Sequence, residues 1–353
     1  MRILVINPGS TSTKFAVYEG ETPLLLRSIR HKPEELAPYK SVLDQFDFRY
    51  NLVMNEIKVT NVDFNFKAVI GRGGLGKAVP GGVYEINEKM LEDTRNSPRE
   101  HACNLGCLIA HKIAQQIPGC RCFIADPVVV DELNDYARIC GIPEIKRVSI
   151  WHPLNQRAIA RRFAREIGKK YEEMNLIICH LGGGISVAAH EKGVAVDAPN
   201  ALDGEGPFTP ERAGTIPAAD LVRLCFSGKY TKEEILKMIT GKGGLNAHLG
   251  TTDLLEIEER INNGDQKAKL VLDAMIYHVA KAIAAQSAVL CGNIDAILLT
   301  GGMAHSDYLV SELRKRIDFL APTYCFPGED EMGALALNAL AVLRGQRDVA
   351  EYD

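Results

Sequence analysis

The chain has 353 residues, 46% of them hydrophobic and 24% charged, with a formal net charge of −4. This length predicts about two domains with a substantial core, and the charge excludes the basic surface that binds nucleic acid or anionic lipid. Nine cysteines without a CxxC pair favour reduced thiols, and no apolar run is long enough for a signal peptide or a membrane span, so we expect a cytoplasmic protein.

The first half of the chain alternates apolar, strand-like runs with helical ones. Four short runs have the composition of buried strands: residues 3–6, 13–18, 68–70 and 122–125. The turn-forming residues 7–12 join the first two strands in a hairpin. The sequence Ser97-Pro98-Arg99-Glu100 has the pattern of a capping box with proline at the first helical position, which predicts a helix that continues to about residue 117.

The second half repeats the opening pattern. Its strand-like runs are residues 176–179, 185–190, 193–196 and 297–300, and the last helix is predicted from about 330 to 344. Because strand, glycine- or serine-rich loop and strand occur twice, we interpret the chain as two related α/β domains with mixed sheets, flanking helices and a cleft. We place one domain at residues 1–150 plus the C-terminal helix 331–353, and a nucleotide-binding domain at residues 151–330.

Three loops that directly follow apolar strands are candidates for holding a nucleotide. They contain Asn7, Ser10, Thr11 and Lys14 in the first loop, His180, Gly182, Gly183 and Gly184 in the second, and Gly301 and Gly302 in the third. Glycine lets the backbone turn sharply and expose its N–H groups, which can cradle phosphate oxygens. Each loop alone is also compatible with an ordinary turn, but the three together predict a nucleotide held between the two domains.

Residues 71–78, GRGGLGKA, nearly spell a Walker A loop. They end on alanine, which has no hydroxyl for Mg²⁺, and the following VPGGV cannot open a helix, so we do not interpret them as a P-loop. Four other residues stand out by position: Arg72, Asp126, Arg212 and His152, which follows Trp151, the only tryptophan in the chain. For each of the four taken alone, a solvated or structural role is the commoner outcome.

Taken together, these motifs resemble the acetate kinase and butyrate kinase family of the acetate-and-sugar kinase, heat-shock chaperone and actin superfamily. The shared motifs are NPGSTSTK at 7–14, CHLGGG at 179–184, PERAGT at 210–215 and LTGGM at 299–303. Gly183, where acetate kinases typically have Asn, and the WHPLNQ motif at 151–156 resemble the butyrate branch of the family. The resemblance implies two duplicated ribonuclease H-like (actin-like ATPase) domains and a homo-oligomer.

The resemblance also implies an activity, which is direct in-line phosphoryl transfer from ATP to a short-chain fatty acid with the help of Mg²⁺. The implied roles are Mg²⁺ at Asn7 and Glu331, the reacting groups at Arg72, Asp126, His152 and Arg212, the nucleotide at the three loops, and the acyl pocket at Trp151. Gly73 and Gly74 follow Arg72 where acetate kinases typically carry β-branched side chains, so we expect these glycines to leave room for a longer acyl tail; the alternative is that they serve only the backbone turn. Asp330 and Glu329 are alternatives to Glu331 at the metal. Because the acceptor carboxylate is already ionised at pH 7, Asp126 is not needed as a general base.

Other functions stay open at this point. Acetate, propionate or a branched acid could replace butyrate within the family. From other classes, a non-metabolic actin-like ATPase would need an additional peptide-binding domain or a polymerising surface. A sugar kinase or a sugar-responsive regulator is a second alternative class, and a DNA-binding version would need a basic helix-turn-helix at one end. ATP turnover that depends on a small acid separates the carboxylate kinase from these other classes.

Overall fold

The computed structural model describes residues 1–60 and 62–353, and these form two compact units. Unit 1 comprises Met1–Val130 and Asp330–Asp353, and unit 2 comprises Asp131–Glu329. The C-terminal segment therefore returns to the unit that the first part of the chain builds.

Unit 1 is built on a seven-stranded mixed sheet. Its strands are β1 (Arg2–Gly9), β2 (Ser12–Glu19), β3 (Thr22–Arg30), β4 (Ala68–Arg72), β5 (Val83–Glu85), β6 (Arg121–Ala125) and β12 (Val349–Ala350), and their spatial order is β12-β5-β6-β4-β1-β2-β3. Strand β1 pairs with β2 in an antiparallel hairpin and with β4 in parallel, which confirms the predicted hairpin. The centres of β1 and β4 are buried on both faces. This burial explains why the residues at the centre of each strand form an unbroken apolar run.

The helices of unit 1 are α1 (Pro33–Leu36), α2 (Phe46–Val59), α3 (Glu88–Arg95), α4 (Asn104–Ala114) and α13 (Glu331–Leu343). Both α4 and α13 contact the central strands β1 and β4. On α4 the buried apolar side chains include Leu105, Leu108, Ile109 and Ile113. The predicted start of the last helix near residue 330 is confirmed.

The predicted start of α4 is wrong. The helix begins at Asn104 rather than at the capping box, and the hydroxyl of Ser97 instead donates to the carbonyl of Leu75 at 2.5 Å. The side chain of Asn104 accepts a hydrogen bond from Leu75 N at 2.8 Å and donates to the carbonyl of Arg99 at 3.0 Å. Hydrogen bonds to Leu75 in a distant loop replace the local capping pattern, which contributes only about 0.5–2 kcal/mol.

Unit 2 contains a five-stranded mixed sheet. Its strands are β7 (Asn175–Leu181), β8 (Ile185–Glu191), β9 (Val194–Asp197), β10 (Ala296–Gly301) and β11 (Thr323–Pro327), in the spatial order β11-β10-β7-β8-β9. An antiparallel meander of three strands is followed by a parallel strand beside its first member, as in β1-β2-β3 and β4 of unit 1. The repeated pattern predicted from the sequence is therefore confirmed as a repeated strand order.

The helices of unit 2 are α5 (Asp135–Arg138), α6 (Pro153–Glu166), α7 (Ala218–Cys225), α8 (Lys232–Thr240), α9 (Gly244–Leu249), α10 (Leu254–Asn262), α11 (Gln266–Val289) and α12 (Asp307–Ile317). Helix α6 contacts β7 and β10, and α11 contacts β7 and β8. Throughout the described part of the chain, no helix combines the length and the apolar character that crossing a bilayer requires.

Candidate functional site

Three polar side chains of unit 1 meet where β1 and β4 end and α13 begins. Asn7 Nδ2 donates to Glu331 Oε2 at 2.8 Å, and Arg72 Nη1 lies 2.5 Å from the same oxygen and 3.5 Å from Asn7 Oδ1. Parallel neighbouring strands end at the same sheet edge, so residues far apart in the sequence come together there. The structure thus places three of the predicted site residues in one cluster.

The geometry of α13 favours Glu331 over Asp330 as the acidic member of this cluster. Asp330 is the N-cap residue of α13, and its Oδ1 accepts from Gly333 N at 2.7 Å. Its carboxylate also contributes, after burial, to raising the pKa of Tyr18 to about 12. Asp330 therefore serves the helix start, whereas Glu331 faces Asn7 and Arg72.

A buried arginine holds the first predicted loop from inside, and the sequence interpretation missed it. Arg49 is 0% exposed, and its guanidinium donates to the carbonyls of Gly9 at 2.9 Å and Ser12 at 2.8 Å. It also bonds Gln45 Oε1 at 2.9 Å, so these partners are all uncharged oxygens. Burial lowers the pKa of Arg49 to about 10. The available signal was its helical spacing with the buried Val53 and Ile57, which places a charge in an apolar stripe.

The side chains of the other predicted residues of this loop point away from Arg49, although Arg49 Nη2 also donates to the carbonyl of Ser10 at 3.4 Å. Ser10 and Thr11 are exposed at the hairpin turn, and Lys14 is half-buried on β2 opposite Asn7. Ser10 Oγ lies 3.3 Å from His101 Nε2. The hydroxyls at the turn are therefore accessible, as a phosphate-binding role requires.

Asp126 follows β6 in a strained backbone conformation. Its φ is +39°, in the left-handed region that residues other than glycine seldom adopt, and its side chain is almost fully buried. Its N–H donates to the carbonyl of Gly82 at 2.8 Å, and its Oδ1 lies 3.9 Å from Arg347 Nη2. Strain of this kind is found preferentially at functional sites, which supports the predicted role of Asp126.

The physical reason for placing Gly73 and Gly74 in an acyl pocket is wrong. A Cβ atom on Gly73 would lie 2.5 Å from Pro127 Cβ, and one on Gly74 would lie 2.3 Å from Asn104 Oδ1. Both glycines are buried, so their missing side chains leave room for neighbouring protein rather than for a longer acid. They hold the loop after Arg72 tightly against α4 and the end of β6.

Gly74→Val is therefore expected to reduce activity with butyrate and acetate equally. Overpacking against Asn104 should lower the free energy of unfolding by about 1–3 kcal/mol. Chemical denaturation and turnover with both acids would check this. Gly76→Ala is the matched control, because a Cβ there would be 3.6 Å from the nearest atom, the hydroxyl oxygen of Tyr352. Selective loss of butyrate activity in Gly74→Val would contradict the packing explanation.

In unit 2, the predicted glycine loop is held by Thr209, another residue that the sequence interpretation missed. Thr209 Oγ1 donates to the carbonyl of Gly183 at 2.7 Å and accepts from Arg212 N at 3.0 Å. A Cβ on Gly184 would lie 2.4 Å from Arg212 Nη1. Gly184 is therefore needed so that the guanidinium can lie directly against the loop.

Arg212 is a half-buried cation whose guanidinium is held by one neutral oxygen atom. Its Nη1 donates to the carbonyl of Ala201 at 3.0 Å. Within residues 1–60 and 62–353, its buried Nε has no hydrogen-bond acceptor. Burial lowers the pKa of Arg212, because the charged form loses hydration. Because the Arg212 guanidinium has lost hydration and keeps unused N–H donors, it can bind an anion that reaches those donors.

Two histidines predicted as site residues stack on each other. The rings of His152 and His180 are parallel within 10°, with centroids 3.9 Å apart. His180 Nδ1 lies 2.9 Å from Asn155 Oδ1, and its Nε2 lies 3.6 Å from Glu329. Trp151, the proposed wall of the acyl pocket, is only 2% exposed and contacts the His190 ring edge-on.

The second and third predicted loops line one cavity of about 740 Å³ in unit 2. Its walls include Gly182, Gly183, Gly302, Met303 and Glu329. Gly301 has φ +95°, and a Cβ there would lie 2.3 Å from the carbonyl oxygen of Leu181, so the third loop lies directly against the end of β7. The cavity has the volume of a typical small-ligand site.

The chain is similar to known proteins over essentially its whole length. A model of the acetokinase family matches residues 145–320. The chain is 62% identical to "Probable butyrate kinase" of Bacteroides thetaiotaomicron, over 100% of both chains. It is 50% identical to Butyrate kinase 2 of Clostridium acetobutylicum, over 99% of each.

Solved structures give the same fold at lower identity. An acetate kinase of Porphyromonas gingivalis has a TM-score of 0.80 at 19% identity and covers 97% of this chain and 99% of its own. A propionate kinase from Francisella tularensis has a TM-score of 0.75 at 18% identity, over 96% and 98% of the two chains. At these identities the likeness establishes the fold alone, and it confirms the predicted actin-like ATPase class. With relatives at 50–62% identity over essentially their full length, the chain belongs to the acetokinase family.

Proposed function

We propose that this chain transfers the γ-phosphoryl group of ATP directly to a short-chain fatty acid, and that butyrate is this acid. The observation that carries the proposal is the cavity in unit 2, where the second and third predicted loops meet. Family membership and full-length relatives named as butyrate kinases support it. Gly182 N donates to the carbonyl of Gly184 at 3.2 Å and closes the loop, and the backbone N–H groups at Gly183 and Gly184 would face phosphate oxygens.

The main barrier to this reaction is the electrostatic repulsion between two anions, and positively charged side chains in the site would reduce it. The acid is an anion, the phosphates are anions, and no general base is required because the carboxylate is already ionised at pH 7. We assign the carboxylate and the phosphoryl in transit to Arg72 and Arg212, because planar guanidinium groups match both anions. Donors that are already in position stabilise the charge that develops in the transition state without reorganising.

Mg²⁺ fits the cluster at Asn7 and Glu331. It prefers oxygen ligands, and it is usually held by one or two carboxylates together with waters and phosphate oxygens. Asn7 would contribute an amide oxygen and Glu331 a carboxylate. When bound, the ion would neutralise part of the phosphate charge, while Arg72 would remain close to Glu331.

The proposal includes a cytoplasmic setting and a homo-oligomer. All nine cysteines are free, as in a reducing compartment. Large apolar side chains are exposed on unit 2, among them Phe226, Leu255 and Leu270, and such surfaces are often covered by another subunit.

An ATP-dependent hydroxamate assay with straight and branched acids of about two to six carbons tests the proposed function. We expect kcat/KM for butyrate to exceed that for acetate by about 15-fold, because two buried methylenes contribute about 1.6 kcal/mol. Product should form only with ATP and a divalent metal. Absence of hydroxamate with every acid would overturn the kinase proposal, and a preference for acetate would overturn butyrate alone.

A further inference from the structure

A chain of buried polar side chains connects His152 to the interior of unit 2. Tyr171 Oη lies 2.7 Å from His190 Nδ1, and His190 Nε2 lies 3.0 Å from Gln156 Oε1. Gln156 Nε2 donates at 3.0 Å to both the carbonyl and the hydroxyl of Ser186. Ser186 Oγ lies 2.8 Å from His152 Nδ1.

The carbonyl of Ser186 determines the direction of every hydrogen bond in this chain, because a carbonyl can only accept. The Gln156 amide must therefore point its nitrogen at Ser186 and its oxygen at His190. His190 is neutral near pH 7, because burial lowers its pKa to about 3. Its single proton must lie on Nε2 to reach Gln156 Oε1, which leaves Nδ1 to accept from the hydroxyl of Tyr171.

The same carbonyl determines the other end of the chain. Gln156 Nε2 donates to Ser186 Oγ, so the Ser186 proton is available for a different partner. Ser186 is 0% exposed, and among the described residues its hydroxyl has hydrogen-bond partners only in Gln156 and His152. The hydroxyl must donate to His152 Nδ1, because a buried hydroxyl proton without an acceptor is costly. In neutral His152 the ring proton is then on Nε2.

We propose that Ser186 and Gln156 are positioning residues that hold His152 in the tautomer with its proton on Nε2. An equatorial oxygen of the transferring phosphoryl can only accept a hydrogen bond, so this tautomer supplies a donor where the other would supply a lone pair. Stacking on His180 fixes the ring plane, and the hydrogen-bonded chain fixes which nitrogen carries the proton. The catalytic part of the proposal rests on the proposed kinase function, whereas the tautomer does not.

Ser186→Ala removes the hydroxyl with little change in volume. Without this hydroxyl, His152 is no longer held in the tautomer that donates from Nε2. This loss should lower kcat with butyrate by about 10–100-fold, somewhat less than removal of a transition-state donor itself. We expect KM for ATP to change by less than about threefold, because the phosphate-binding loops are untouched. Ser186→Thr keeps the hydroxyl and should retain most of the turnover.

Tyr171→Phe is the matched control for loss of one buried hydroxyl in the same unit. Its hydroxyl lies at the far end of the chain, and the Ser186 carbonyl would still orient Gln156, so turnover should stay within about twofold of wild type. If Ser186→Ala retains full turnover, or if Tyr171→Phe loses as much as Ser186→Ala, the positioning role is wrong.

Nitrogen NMR of the full chain with ¹⁵N-labelled histidine tests the tautomer directly, with or without activity. Comparison with His152→Asn identifies the His152 signals. In the wild type, at a pH where His152 carries a single ring proton, we expect Nδ1 to show the shift of an unprotonated ring nitrogen and Nε2 that of a protonated one. In Ser186→Ala the two should move towards a mixture of tautomers. A proton on Nδ1 in the wild type would overturn the inference, whereas failure of the proposed function would appear as absent turnover with an unchanged spectrum.

Discussion

Arg212→Ala is expected to lower kcat with butyrate by about 10²–10³-fold, with a much smaller change in KM for ATP. The guanidinium is half-buried against Gly184 and keeps an Nε without an acceptor among the described residues. Its Nη1 donates to the carbonyl of Ala201, a neutral oxygen, which leaves its other donors for an anion. Loss of this donor removes stabilisation that an anion gains in the transition state. Steady-state kinetics with ATP and butyrate measures the effect.

Two further variants separate the chemistry of Arg212 from its charge. Arg212→Lys keeps a positive charge but loses the planar fork, so it should recover only a small part of the turnover. Arg223→Ala removes an arginine of the same unit from an exposed pair with Asp220 and should leave kcat unchanged. Arg72→Ala should lose turnover on the same scale as Arg212→Ala. Near-normal kcat in Arg212→Ala would remove this residue from the reacting centre.

Arg49→Met is expected to destabilise unit 1 by about 3 kcal/mol, since the carbonyls of Gly9 and Ser12 and the side chain of Gln45 each lose a buried donor at about 1 kcal/mol. The substitution keeps most of the apolar volume, so the loss reports the hydrogen bonds. Turnover should also fall, because the turn that carries Ser10 and Thr11 loses its inner support. Urea unfolding followed by circular dichroism measures the change in free energy.

The fluorescence of the single tryptophan provides a second signal in the same unfolding experiment. Trp151 lies in unit 2, so its fluorescence follows that unit, whereas circular dichroism follows both. An earlier dichroism transition with unchanged fluorescence would locate the destabilisation in unit 1. Lys58→Met is the matched control, because Lys58 is exposed on the same helix. A loss as small as that of Lys58→Met would show that Arg49 is not needed to hold the hairpin.

Features that depend on residues close together in the sequence could be predicted. Strand β1 is an unbroken apolar run beside a turn-rich segment, and the hairpin follows from that contrast. The glycine loops were visible because glycine at a strand end marks a special backbone conformation or a close approach. Gly184 and Gly301 both show such approaches, one to a guanidinium and the other to a strand carbonyl.

Features that depend on distant partners could not be predicted. Arg49 bonds carbonyls of a hairpin that lies about forty residues earlier, and backbone carbonyls leave no mark in a sequence. Gly74 is determined by Asn104, which also draws the start of α4 away from the capping box. In the candidate site, Thr209 has no recognisable motif of its own, because its role arises from the position of Gly183.

The contact between Gly184 and Arg212 makes the order of sequence changes matter. A side chain at position 184 collides with the guanidinium, but that collision disappears in a chain whose residue 212 is already small. The effects of the two substitutions are therefore not additive, as is usual for residues that share space. A survey of single substitutions would classify position 184 as restricted to glycine, although the restriction belongs to the pair. To redesign this loop for another phosphoryl acceptor, residue 212 would have to be replaced first and residue 184 afterwards.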